Sequence, residues 1–320
     1  MRFQFYSEAI DKVPKLSIDG TVDNSIHFSH WQGNTTPVEV KADTSTEIAL
    51  NLVASPNYAA LTENIELVTN NHFDADGVLS VWTVLNGKRA LPYRDLLIAA
   101  ADAGDFSEHS SDDGVRVSIA IQGSEQAGSD NDDASPLASW LAGGDVDDDA
   151  RAYEVVLPEV ERLLSNVNAY ESLWREGWDH VAKALESFAS GASQVVEHDA
   201  SRISLITLEP GLQSPKMEIA KHARGDLFLT ATPAPDGWLY RLDYPYYSWA
   251  ETVVRPGVAR RDLTSALATL SEKEVNGSWA SDNRELTSIA RFVDSEGRMT
   301  ASRLSPDEVV AVLSAACTTL

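Results

Sequence analysis

The stretch ELVTNNHFDADGVLSVW, residues 66–82, sets His72, Asp74 and Asp76 at alternate positions and follows them with Gly77. The apolar run NIELVTN (64–70) reads as a buried strand, and VLSVWTVLNG (78–87) as a helix ended by Gly87. A strand, a polar turn and a helix place the turn at the carboxyl end of the strand, where open α/β sheets bind ligands. On an extended segment the alternation can bring several of the three side chains to one side. Two carboxylates and an imidazole suit a hard or borderline divalent cation, Mg²⁺ or Mn²⁺. Without a cation two close carboxylates repel, and one tends to protonate. Gly77 lets the backbone turn tightly into the helix. The plainer alternative, a polar turn in which Asp74 or Asp76 caps the helix, explains one aspartate better than all three residues together.

Upstream, TSTEIALNLVA (44–54) reads as a helix, with Thr44 and Glu47 at capping-box spacing. PYRDLLIAAADAGDF (92–106) begins like a helix near Pro92 and ends in polar residues. VRVSIAIQG (115–123) reads as a strand by its β-branched alternation. SEQAGSDNDDAS (124–135) is an acidic loop without hydrophobic pattern. Residues 147–191 read as mostly helical with an interruption near Pro158. After Gly191 come four strand-like segments, SQVVEHD, ISLITLE, DLFLTATP and GWLYRLDYP, then helices at RRDLTSALATLSEKE and SPDEVVAVLSAACTTL. Ser305 and Pro306 make a sound start for the last of these. The expected architecture is an N-terminal parallel-sheet α/β domain, residues 1–192, and a smaller C-terminal α+β domain, residues 193–320.

Composition narrows the function. Twenty-five basic residues against forty-nine acidic give a net charge of −24, so the chain repels phosphate backbones on average and broad nucleic-acid binding is not expected. Only eight of the basic residues are lysines, which fits a salt-adapted surface and equally a high-GC composition. No apolar run approaches the roughly 20 residues of a membrane helix, so no membrane partner is expected. The first residues lack the pattern of a secretory signal. One cysteine, Cys317, allows neither a disulfide framework nor a cysteine-built metal site. These features together predict a cytoplasmic protein; they leave the oligomeric state open.

Three known patterns compete for the central motif. An EF-hand loop aligned on Gly77 would start at His72 and put Thr83 where the bidentate acid belongs, so it fails. FDADGVL also looks like the first motif of haloacid dehalogenase-like phosphatases, with Asp74 as nucleophile, Asp76 as acid/base and GDVDDD (144–149) as the later acidic motif. That family needs a lysine between these motifs, and Lys88, fourteen residues after Asp74, is the one present. The better match is HFDADGVLS, which resembles the D-x-D-G-x-x-S motif of DHH-type phosphoesterases through Asp74, Asp76, Gly77 and Ser80. LLIAAADAGDF resembles that superfamily's Asp-Thr-Gly-x-Phe segment through Asp102, Gly104 and Phe106. The resemblance implies Mn²⁺ or Mg²⁺ ions held by His and Asp ligands in the first domain. It also implies a smaller second domain that clamps a phosphorylated substrate. The chain has no Asp-His-His triplet; VTNNH (68–72), with Asn70 for the first aspartate, could stand in its place. As a whole the sequence also resembles a bacterial family sharing SHWxGNxTP and HFDADG, which brings no activity with it.

Other constellations add candidates. SIHFSHWQGNTTP (25–37) reads as a strand running into a Gly-Asn turn, so His27 and His30 point to opposite sides. His30 is the preferred ligand because it abuts the polar loop, whose Asn34 and Thr35 could meet an anion. Asp102 closes the apolar LLIAAA, and Asp105 in DAGDFSEH is a further ligand candidate. Arg255, Arg260 and Arg261 cluster in RPGVARR as a candidate phosphate clamp, and pairing with nearby acids is the competing explanation. NGSWASDN (276–283) reads as a Gly-Ser loop.

The expected function is divalent-metal-dependent hydrolysis of a small phosphorylated substrate, of the nucleotide, short oligonucleotide or polyphosphate class. His72, Asp74, Asp76 and Asp102 are the expected catalytic residues and also metal ligands, with His30 and Asp105 as further ligands. Asn34, Thr35, Ser80, Arg255, Arg260 and Arg261 are the expected substrate contacts. The alternatives are a phosphatase with Asp74 as nucleophile and a non-catalytic binding protein on a degraded phosphoesterase fold.

Overall fold

The computed structural model describes residues 1–123, 135–212, 216–281 and 289–317. The protein is α/β and divides into two units, Met1–Asp179 with Trp249–Pro256, and His180–Ser248 with Gly257–Leu320. Among the described residues no helix is long and apolar enough to cross a membrane.

The first unit is built on four short strands, β1 (Arg2–Phe3), β2 (Lys15–Ile18), β3 (Ile26–Phe28) and β4 (Leu67–Thr69). They are all parallel in the order β1-β4-β2-β3. β2 and β3 run the same way although few residues join them, so the chain must double back sharply. Asp19 (φ 57°) and Asn24 (φ 55°) make those bends in the left-handed region, which Asp and Asn tolerate best after glycine. The buried Lys15 pins the return by donating to the carbonyls of Ile10, Asp11 and Asn24 at 3.1–3.2 Å.

The first helices are α1 (Ser45–Ala54), α2 (Tyr58–Leu61), α3 (Ala75–Asn86), α4 (Arg94–Phe106) and α5 (Asp112–Gln122). Thr44 caps α1 by accepting from the Glu47 N–H, as the spacing predicts, while Glu47 itself turns to Arg94. α3 is buried on nearly every side from Ala75 to Val84, so its sequence reads as a continuous apolar run. α4 runs on through the polar DAGDF and stops at Ser107, a left-handed cap. α5 corrects the strand expected at 115–123. Ser111 caps it, and Asp112 and Asp113 sit favourably in its first turn. The alternation of Val115, Val117, Ile119 and Ile121 misleads because Ser118 and Ala120 between them are also buried.

α6 (Pro136–Ala142), α7 (Asp149–Val156), α8 (Val160–Ser165) and α9 (Glu171–Ser190) complete the helical region, broken around Pro158. The divide between the units falls within α9, upstream of the boundary expected after residue 192. The acidic stretch 124–135 lies outside the described residues except for Ser135, the cap of α6.

The second unit holds β5 (Gln194–His198), β6 (Ile203–Thr207), α10 (Lys216–His222), β7 (Leu227–Ala234), β8 (Gly237–Asp243), α11 (Thr264–Glu272), β9 (Ser278–Ser281), β10 (Ala290–Val293) and α12 (Pro306–Cys317). Its sheet runs β5-β6-β7-β8-β10-β9, with β6 and β7 parallel and the other pairs antiparallel. Ile203, Leu205, Leu227 and Leu229 bury one face with Leu267 of α11 and Leu313 of α12. Ile206 and Phe228 bury the other with Ile219 of α10, as strand alternation requires. Ser305 and Glu308 cap α12 reciprocally. The segment expected as a Gly-Ser loop at 276–283 instead contains β9, and its residues beyond 281 are not among those described.

Candidate metal centre

Three parallel strands end at one edge of the first sheet, and each hands over a polar residue there. β2 leads directly into Asp19, β3 into Ser29 and His30, and β4 into Asn70, Asn71, His72 and Asp74. Asp74 is the N-cap of α3 and accepts from the Gly77 N–H at 2.7 Å. Asp76, in the first turn of α3, accepts from the backbone N–H groups of Ser45 and Thr46, both at 2.7 Å. Its carboxylate thus joins the N-termini of α1 and α3. Gly77 is required by crowding: a Cβ there would lie 2.5 Å from Asn70 Nδ2 and 2.6 Å from the Tyr153 hydroxyl. The turn that presents His30 is tied by Thr36, whose Oγ1 accepts from the Ser29 N–H and donates to the Ser29 carbonyl.

His30 lies at the centre of a buried group. Its Nε2 is 3.1 Å from Asp105 Oδ2 and 3.8 Å from Asp19 Oδ1, and its Nδ1 is 3.6 Å from Asp76 Oδ2. Its side chain is wholly buried, yet neither ring nitrogen has a hydrogen bond of acceptable geometry. His72 Nε2 is 3.1 Å from both Asp19 Oδ2 and Asp74 Oδ2. Two ligand sets result, Asp19–His30–Asp76–Asp105 and Asp19–His72–Asp74, each with its ligand atoms within 4.8 Å of one another. Oxygen ligands about 2.1–2.4 Å from one ion lie at most about 4.2–4.8 Å apart, so both sets fit a divalent cation. Asp19 belongs to both, one oxygen towards each histidine.

Four carboxylates here face two imidazoles, and burial exaggerates the imbalance. Burial, then the charges of Asp74 and Asp76, pushes the Asp19 carboxyl up to about 6. Burial, then Asp74, Asp76 and Asp19, holds Asp105 well above the usual range, and burial raises Asp76. Burial also opposes the charged forms of Asp74 and His72, but their mutual attraction outweighs it. Asp74 therefore falls, and His72, also facing Asp19, is pushed up to about 12. Such an array stores repulsion that a cation would relieve.

The sequence profile of DUF6687, a family of unknown function, matches residues 1–319. The chain belongs to that family. No curated protein and no solved structure matches it.

Of the residues this family member was expected to use, His72, Asp74, Asp76, His30 and Asp105 are brought together. Asp102 stands apart from both ligand sets: it accepts from Arg255 Nη2 at 2.8 Å, and burial pushes it up to about 6 despite that arginine. Asn34 bridges the Trp31 carbonyl and Glu251, while Thr35 is exposed. Ser80 is buried and donates to the Gly77 carbonyl within α3. Arg255 is held by Asp43, Asp102 and Glu108. Within the second unit Arg261 meets Asp226 and the Ser201 carbonyl, and Arg260 lies over the Tyr244 ring. Pairing with neighbouring acids thus accounts for Arg255 and Arg261. Sequence reasoning missed Asp19; the signal for it was an aspartate directly after KLSI, before a glycine.

Proposed function

We propose that the protein is a cytoplasmic, divalent-cation-dependent phosphoesterase acting on a small phosphorylated substrate of the nucleotide, short oligonucleotide or polyphosphate class. The observation that carries this reading is the Asp19 carboxylate shared between two ligand sets. Asp19, His30, Asp76 and Asp105 would hold one ion; Asp19, His72 and Asp74 the other. The oxygen-rich donor sets, each with one imidazole, favour Mn²⁺ or Mg²⁺. Such an ion pair supplies an acidified water and a clamp on the attacking and leaving oxygens of an in-line displacement. The chain's own contribution is rigidity and charge. Ser45 and Thr46 fix the orientation of Asp76, Gly77 fixes Asp74, and Asn71 Oδ1 lies 3.1 Å from His72 Nδ1. These outer partners orient the ligands before substrate arrives. His72 and Asp74 are the more exposed of the ligands, so the substrate would approach from their side.

The reading with Asp74 as nucleophile is disfavoured by its surroundings. Asp74 faces an imidazole, while Lys88 is exposed beyond the far end of the twelve-residue α3, roughly 18 Å away along the helix. The test is a hydrolysis screen over phosphomonoesters, dinucleotides, cyclic dinucleotides and polyphosphate, with and without Mn²⁺. Cation-dependent turnover that Asp19→Asn abolishes is the expected result. A phosphoryl mimic trapped covalently on Asp74 would replace it with the aspartyl-phosphate mechanism. No turnover together with no bound metal would favour the non-catalytic reading.

A further inference from the structure

Resting on that reading, we infer that Trp249–Pro256 is a strap that sets the spacing of His30 and Asp105, and that Arg255 and Trp249 are positioning residues of the four-ligand cation position. In chain order the segment falls between β8 and α11, among residues of the second unit, yet it packs as part of the first. Its attachments alternate between the two elements that deliver those ligands. On the loop after β3, the Glu251 N–H donates to the His30 carbonyl itself at 2.8 Å. Glu251 also accepts from the Gly33 N–H and Asn34 Nδ2, and pairs with Lys41. The Trp249 ring stands edge-on to the His30 imidazole at 5.0 Å and packs on Trp31 at 5.1 Å.

On the end of α4, Arg255 forms a fork with Glu108 at 2.7 and 2.9 Å, reaches Asp102 at 2.8 Å and lies over the Phe106 ring. Asp102, Phe106 and Glu108 surround Asp105 in the sequence, so the guanidinium fixes the turn that carries this ligand. Asp43 closes the strap by accepting from the N–H groups of Val253, Val254 and Arg255. His72 and Asp74 have none of these tethers among the contacts described. His72 meets the strap only at second hand, through Trp31 at 5.3 Å from its ring, so the strap acts most directly on the four-ligand position.

The two positions can be read separately in the full chain. Asp74→Asn leaves the four-ligand position for Mn²⁺ titration by electron paramagnetic resonance; Asp105→Asn leaves the other. Arg255→Gln should weaken Mn²⁺ about 10- to 100-fold in the first background, the range for an outer partner of a ligand, and leave the second within about twofold. Arg255→Lys keeps the charge but lacks the planar fork, so it should recover only part of the loss. If Arg255→Gln melts early, Trp249→Phe supplies the same comparison without removing a charge. Equal weakening at both positions, or none at either, would overturn the strap while leaving the cation site standing. No Mn²⁺ uptake by the unsubstituted protein would overturn the strap and the proposed function together.

Discussion

At the scale of one residue, Asp105 is a buried acid crowded by other acids. It lies 3.1 Å from His30 Nε2 in a pocket that already holds Asp19 and Asp76. Its carboxyl is held well above the usual range by burial and by those neighbours. Asp105→Asn removes one buried acid from the group, so the protein in EDTA should gain about 1 kcal/mol, or roughly 3 °C in Tm. The same variant should keep only the part of the Mn²⁺-induced rise in Tm that the Asp19–His72–Asp74 position supplies. Thermal melts with EDTA and with Mn²⁺ check both; a lower Tm in EDTA would show that these acids do not repel. His72, Asp74 and Asp76 were legible in the sequence because their spacing is unusual and sits between a strand and a helix. Asp19 was not, because one acid after one strand makes no pattern. Only the parallel pairing of β2 with β3 and β4 brings it into both candidate ligand sets.

Among elements, the strands β3 to β8 were legible, and so were the capped helices α1 and α12, while β1 and β2 were not. α5 was not, because burial on most sides erased its helical period. Its partner surface explains why. A Cβ on Gly114 would lie 2.6 Å from Ala99 Cβ and 2.8 Å from the Ala99 carbonyl carbon, so α4 and α5 meet almost backbone to backbone. Alanine has the higher helix propensity by about 1 kcal/mol. The clash is with backbone, which cannot step aside, and overpacking of this kind costs about 1–3 kcal/mol. Gly114→Ala should therefore be neutral to destabilising by about 2 kcal/mol in urea unfolding. A clear stabilisation would mean that the two helices do not pack this closely. The second unit's β9, at the sheet edge, and β10, inside it, were missed because strands of four residues are too short to show an alternation.

For the molecule as a whole, an excess of acid makes the few well-held carboxylates decide the response to low pH. Burial pushes Asp43 up, but the N–H groups of Val254, Val253 and Arg255 outweigh it and hold the carboxyl below its usual range. Between that lowered value and about 3.9 in the unfolded chain, the unfolded state binds more protons, so stability rises with pH. The contribution is complete above about pH 4 and is lost as pH falls through the folded value. Urea midpoints of the parent and Asp43→Asn should differ most near pH 5 and by less as pH falls through the folded value; a constant difference would contradict this. The change of character after Gly191 marks where the strands of the second unit begin, while the divide itself falls earlier, within α9. The return of Trp249–Pro256 to the first unit was not, because tethers to Asp43, His30 and Asp102 leave no local signature. The proposed function stands or falls on whether Asp19 is shared by two cations. The most direct measurement is an anomalous difference map from crystals soaked in Mn²⁺. Two peaks about 3.5–4 Å apart, each within about 2.5 Å of an Asp19 carboxylate oxygen, are the predicted result. A map with no peak at coordination distance from Asp19 would contradict it.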